Sequence, residues 1–154
     1  QHKEWQVYFA PGPRLLHIPS EKMERIFDLS PVIHLNEKEA ISYTKTSSIE
    51  EACKYINAKT NNDVIVTLSE KGAYLYCDNH GKIYPGYPAV VADTVGAGDS
   101  HFGSYISAVN LGYKKEIAVD LANYIAAKVV SITGASLSQE QFTEIYDDYK
   151  KLND

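Results

Sequence analysis

This sequence predicts an α/β fold built on a mostly parallel sheet, and three observations carry the prediction. Strand-like and helix-like segments alternate through the first half of its 154 residues, the order that gives parallel strands joined by crossover helices. Val64-Ile65-Val66-Thr67-Leu68 is a continuous apolar and β-branched run, as in a strand covered on both faces. After Gly98 the pattern is helical alone.

Taken in order, Val7-Tyr8-Phe9-Ala10 reads as a short buried strand halted by Pro11-Gly12-Pro13, because proline removes a ladder donor and glycine permits a sharp turn. Ser20, with Glu21 and Glu24 ahead of Ile26 and Phe27, reads as the cap of an amphipathic helix that stops before Pro31. Val32-Ile33-His34-Leu35 is again strand-like. Asn36, Glu37 and Glu39 then begin a helix, with acidic residues at its positive end. From Ser48 to about Lys59, residues Ile49, Ala52, Cys53 and Ile56 share one helical face. Two segments, Gly72 to Cys77 and Lys82 to Tyr84, flank the turn-forming Asp78-Asn79-His80-Gly81 and predict a hairpin, a local antiparallel addition to the sheet. Three helices follow, over roughly 99–111, 115–131 and 139–151.

Bulk properties narrow the partners. A formal net charge of -5 and the lack of any Lys or Arg run argue against a groove for nucleic acid or a patch for anionic lipid. A small-molecule partner is expected. No stretch approaches the roughly 18–20 apolar residues of a membrane helix, and no secretory leader opens the chain, so the expected location is the cytoplasm. Cys53 and Cys77 belong to no metal or redox motif and read as reduced structural residues. The opening Gln1, which runs straight into an apolar segment, reads as the start of a piece cut from something longer.

Asp93-Thr94-Val95-Gly96-Ala97-Gly98-Asp99 carries the most chemistry. Three small residues ahead of a helix leave backbone N–H groups uncovered, and these amides with the positive helix end suit phosphate oxygens. Asp99 in the first turn can accept the proton of a hydroxyl attacking a terminal phosphoryl group. Competing motifs fail on spacing. His101 stands where a dinucleotide fingerprint needs glycine, a P-loop lysine is missing, and Ser100 misses the nucleophile-elbow frame by one residue. His101 itself reads as a residue that packs or hydrogen-bonds locally.

The D-T-x-G-A-G-D pattern resembles the second signature of the ribokinase-like, or PfkB-type, carbohydrate and nucleoside kinases, and further family marks follow its order across essentially the whole chain. Val7 to Arg14 resembles the family's strand ending in a D-P-G-P-R-like turn, with Ala10 where aspartate is common. Asn36-Glu37-Lys38-Glu39 resembles N-x-x-E, which implies that Asn36 and Glu39 help place Mg²⁺ and phosphate through water. Thr67-Leu68-Ser69-Glu70-Lys71-Gly72 resembles the nucleotide-contacting T-L-G-x-x-G, with Ser69 replacing the first glycine; Thr94 of the signature joins Thr67, Ser69 and Gly72 in this set. The resemblance further implies that Asn123 contacts the adenine base, and that Val130, Gly134 and Ser138 hold a monovalent cation such as K⁺ beside Asp93.

The implied fold is three-layer, ribokinase-like and Rossmann-like, with residues 1–154 forming its carboxyl-terminal, nucleotide-binding portion. The amino-terminal substrate and lid portion has no counterpart in the sequence. The implied reaction is phosphoryl transfer from ATP, with Mg²⁺, to a sugar or nucleoside hydroxyl, with Asp99 as base and Gly96, Ala97 and Gly98 as anion hole. This piece alone is expected to be inactive, and its uncovered apolar edges to associate with a second copy or with the missing half. Each motif also has a plainer reading: a ligand-free turn for the glycines, a helix cap for Asn36 and Glu39, a strand end for Thr67 and Gly72, and packing for the tyrosines. A non-catalytic nucleotide-binding or structural domain of the same fold is the rival.

Overall fold

The computed structural model describes residues 5–134 and 137–153. They form two compact units. One comprises the residues up to Leu68 with Ala73–Ile83, and the other Ser69–Gly72 with the residues from Tyr84 onward.

A five-stranded sheet, all but its last residue in the first unit, consists of β1 (Tyr8–Phe9), β2 (Val32–Asn36), β3 (Val64–Thr67), β4 (Ala73–Cys77) and β5 (His80–Tyr84), in the spatial order β1-β2-β3-β4-β5. β1, β2 and β3 run parallel, and β4 is antiparallel to β3. Asp78 and Asn79, with φ of 49° and 60°, make the tight β4–β5 connection, because both central residues of the favoured hairpin turn need positive φ. The expected hairpin is therefore present, with its turn centred two residues before Gly81.

In the β2–β3 register Asn36 lies beside Thr67. Both strands thus deliver a polar residue at the same level of their carboxyl ends, the end at which open α/β sheets bind ligands.

Three helices belong to this unit: α1 (Ser20–Phe27), α2 (Glu37–Thr44) and α3 (Ile49–Thr60). Ser20 is not a cap. The Pro19 carbonyl accepts from Lys22 and Met23 N–H at 2.9 and 3.1 Å, so the helix begins one residue earlier than its polar pattern suggests. Ser48 does cap α3, its hydroxyl accepting from Glu51 N–H at 3.2 Å. Ala52, Cys53 and Ile56 of α3 join Ile33, Leu35, Val64 and Val66 in the core, where each large aliphatic side chain contributes roughly 1.5–3 kcal/mol of burial. Burial pushes the Cys53 thiol up to about 12, which keeps it protonated and inert, and neither cysteine is in a disulfide.

The second unit is helical: α4 (Ala97–Asn110), α5 (Lys115–Val129) and α6 (Gln139–Asn153). α4 packs on α5, and Phe102, Tyr105 and Ala108 of the one and Ala118, Ala122, Ile125 and Val129 of the other are buried. α6 is tied to α5 through Asp120, whose Oδ2 accepts from the hydroxyls of Tyr149 at 2.7 Å and Tyr87 at 3.0 Å. Burial first, and then the neighbouring Asp120 carboxylate, raise both tyrosines above their ordinary range. No described helix is long and apolar enough to cross a membrane.

Candidate active site

The start of α4 is built around an uncapped turn. Asp93 Oδ1 accepts from Val95 N–H at 3.0 Å, and the Thr94 carbonyl accepts from Ala97 N–H at 3.3 Å, so the loop folds back on itself before the helix begins. Gly96 occupies the N-cap position at φ 78° and ψ -4°, with no side-chain cap. Glycine takes that left-handed conformation at little cost, where any other residue is strained. The first intrahelical bond runs from Ser100 N–H to Gly96 O at 2.8 Å, so the amides of Gly98 and Asp99 lie ahead of it, among the donors a helix leaves to other partners.

Gly98 needs a separate account. Its φ is not positive, and a Cβ built on it meets nothing within 4 Å, so neither backbone strain nor packing demands glycine there. Glycine within a helix costs roughly 1 kcal/mol relative to alanine. What it gains at this position is access to the backbone. Asp99, in the same first turn, is exposed, which sets a carboxylate beside these donors.

The inner side of the same turn is anchored by buried polar groups. His101 is 2% exposed and Asn123 of α5 is 4% exposed. His101 Nε2 and Asn123 Oδ1 are 3.0 Å apart, and Asn123 Nδ2 donates to the carbonyls of Tyr84 at 2.9 Å and Pro85 at 3.1 Å. The local hydrogen-bonding expected of His101 is what the structure contains. Burial lowers its imidazole to about 4, against a smaller upward pull from Asn123. Asn123, expected to contact the base, has its amide turned inward, with both its donors and its acceptor engaged by protein.

The backbone that Asn123 grips is itself fixed. A Cβ at Gly72, where φ is 96°, would lie 2.1 Å from the Tyr84 carbonyl oxygen, and one at Gly86 would lie 2.5 Å from that of Glu70. Two backbone segments cross here at a distance only glycine allows, which accounts for Gly72 as packing. Ser69 adopts φ 54°, the left-handed region where a glycine would sit without strain. Tyr84, Pro85 and Gly86 were not singled out from sequence. A proline ending a strand ahead of a glycine was the available signal.

Asn36, Glu39 and Thr67 gather in the sheet unit. Asn36 Oδ1 accepts from Glu39 N–H at 2.8 Å, and Glu39 Oε2 accepts from Asn36 N–H at 3.0 Å. This reciprocal pair is a capping box, so the plainer reading is present in full. The box uses one carboxylate oxygen of Glu39 and leaves acceptor capacity on the group. Thr67 Oγ1 donates to Leu35 O at 3.4 Å.

Of the expected cation ligands, Val130 and Asp93 are joined through backbone. The Val130 carbonyl accepts from the amides of both Ala92 and Asp93, at 2.7 and 3.2 Å, and these use the two lone pairs such an oxygen has. Gly134 adopts φ 108°. Ser138 caps α6, its Oγ accepting from Gln141 N–H at 3.1 Å. Among the described residues no cluster of three or more His, Cys, Asp or Glu could hold a metal. Mg²⁺ bound chiefly by phosphates and water needs no such cluster, and the Glu39 carboxylate fits that use.

Comparison with known proteins supplies the family. Residues 6–141 match the model of the pfkB family of carbohydrate kinases. The chain is 32% identical over 127 residues to the uncharacterized sugar kinase YegV of Escherichia coli (strain K12), covering 80% of this chain and 40% of that protein. Ribokinase from Thermotoga maritima superposes with a TM-score of 0.81 at 27% identity, covering 95% of this chain and 50% of that one. An E. coli protein provisionally named ribokinase II, solved in complex with ATP and Mg²⁺, gives 0.79 at 25% identity over 95% of this chain and 49% of its own. The chain thus spans half or less of the length of each of these relatives. The ribokinase-like α/β fold, with its mixed sheet flanked by helices, and the glycine turn that leads into α4 agree with the family match over most of the sequence: this chain belongs to the pfkB family of carbohydrate kinases.

Proposed function

We propose that the full-length protein carrying this chain transfers the terminal phosphoryl group of ATP to a hydroxyl of a sugar or nucleoside, with Asp99 as general base. The observation that carries this reading is the turn at the start of α4: uncapped, with open space beside Gly98 and the Asp99 carboxylate exposed within it. A helix start of that kind offers donors and a positive dipole end to phosphoryl oxygens.

In the proposed reaction Asp99 takes the proton of the acceptor hydroxyl as that oxygen bonds to phosphorus, and the bond to the departing ADP oxygen breaks. The amides around Gly96, Ala97, Gly98 and Asp99 donate to the oxygens on which charge collects, a contribution that is large when the donors are fixed beforehand. In this reading Thr67, Ser69, Gly72 and Thr94 would contact the nucleotide, and Asn36 and Glu39 would hold water on Mg²⁺. Bound with ATP, Mg²⁺ would supply neutralisation of phosphate charge. The E. coli relative with ATP and Mg²⁺ supports both as cofactors. A role for Asp93, Val130, Gly134 and Ser138 around K⁺ would draw on the Val130 carbonyl, which in the fold accepts from the Ala92 and Asp93 amides.

Turnover is expected of the full-length protein and not of this piece, a view supported by the share of its relatives that the chain spans. Incubation of that protein with Mg-ATP and a panel of sugars and nucleosides should yield a phosphorylated acceptor. ATP binding without phosphorylation of any acceptor would establish the non-catalytic rival.

A further inference from the structure

We propose that His101 is a positioning residue for the phosphoryl transfer inferred above: through Asn123 it pins the first turn of α4, and with it the Gly98 and Asp99 amides and the Asp99 carboxylate, to the backbone at Tyr84 and Pro85. The inference rests on that functional reading and adds a residue to it.

The hydrogen-bond pattern fixes every orientation in the relay. Tyr84 O and Pro85 O are acceptors only, so the Asn123 group facing them is its NH₂. Its Oδ1 therefore faces His101. An acceptor in that place requires a proton on His101 Nε2, which assigns the neutral Nε2–H tautomer to a residue two positions after Asp99. The far end of the relay is closely packed, because Gly72 and Gly86 let the 84–86 backbone lie against the 70–72 turn at distances that exclude a side chain.

A core position on a helix is ordinarily filled by an apolar side chain, which packs without direction. A buried imidazole and amide must instead be desolvated, and what they return is directional geometry. That geometry matters most where a misplacement of about 1 Å slows the reaction on the order of 100-fold. The relay stands directly behind such a place.

The test uses the full-length protein, its His101→Leu and His101→Gln variants, and the long-range imidazole ¹H–¹⁵N spectrum of the wild type. The expected spectrum has His101 as neutral Nε2–H from pH 6 to 8. Leucine at 101 should lower kcat on the order of 100-fold with KM for ATP within about threefold, since a misplaced turn weakens the transition state more than nucleotide binding. Glutamine, whose amide can donate to Asn123, should restore kcat to within about tenfold of wild type. An Nδ1–H tautomer, a leucine variant with unchanged kcat, or a glutamine variant as slow as leucine overturns the proposal. Where the leucine variant does not fold, the spectrum and the glutamine variant decide by the same outcomes. Wild-type turnover with an unaffected leucine variant overturns the relay and leaves the reading of the site intact; absence of turnover in the wild type overturns both.

Discussion

Two helices of this chain begin in opposite ways. α2 closes its own end: Asn36 and Glu39 exchange hydrogen bonds at 2.8 and 3.0 Å, so two of the donors at that end are satisfied by the chain itself. α4 has glycine at the N-cap, no side-chain cap and a second glycine beside open space. A side-chain cap is worth about 1 kcal/mol over alanine but only a few tenths over glycine, so the Gly96 N-cap leaves the donors of α4 uncovered at small cost. α1 and α5 also begin without a side-chain cap, so what sets α4 apart is the pair of glycines at an uncapped start with the exposed Asp99 in its first turn.

The comparison can be broken by substitution. The largest expected effect is that of Asp99→Asn, which should lower turnover by on the order of 1,000-fold while ATP binding persists; steady-state kinetics beside calorimetric titration of the full-length protein would measure both. Gly98→Ala comes next. It should keep or raise the melting temperature, since alanine favours helix, yet slow turnover by about 100-fold as the added methyl intrudes on the approach to the amides. A loss of stability with unchanged kinetics would make Gly98 a packing glycine and remove the contrast with α2.

A third prediction concerns what backs the open turn. His101 sits at about 4 in the fold against an ordinary value near 6.5. The unfolded chain therefore takes up a proton that the folded chain does not. Stability is fully present above about pH 6.5 and is lost as the pH falls toward 4, by on the order of 2–3 kcal/mol. Urea unfolding at pH 7.5 and pH 4 should show wild type losing that much more than His101→Gln; equal losses would mean the imidazole titrates freely. The smallest effect belongs to α2. Asn36→Ala should lower unfolding free energy by about 1 kcal/mol, and adding Glu39→Ala should cost less than the sum of the two alone, because the pair acts together.

Local chemistry explains how much of this could be read in advance. The parallel strands were legible because Val64, Ile65 and Val66 are all apolar, and all three are buried. The glycine turn was legible because three small residues between two aspartates have few other uses, and the capping box because its partners are three residues apart. The hydrogen bonds of Asn123 were not legible, for the opposite reason. Its partners at Tyr84 and Pro85 lie 39 and 38 residues away, and no local pattern announces that an asparagine on a helix will turn inward to meet them. The start of α1 shifted on a smaller scale, because the Pro19 carbonyl, which sequence patterns do not register, supplies the acceptor.

The most direct measurement is a titration of isotopically labelled full-length protein with Mg-ATP, following backbone amide resonances at the start of α4 and along its length. Saturable shifts at Gly98 and Asp99, larger than those at Ala108 and Val109 further along the same helix, are the result expected if these donors receive the phosphoryl oxygens. Saturable ATP binding that leaves both amides unmoved would contradict it.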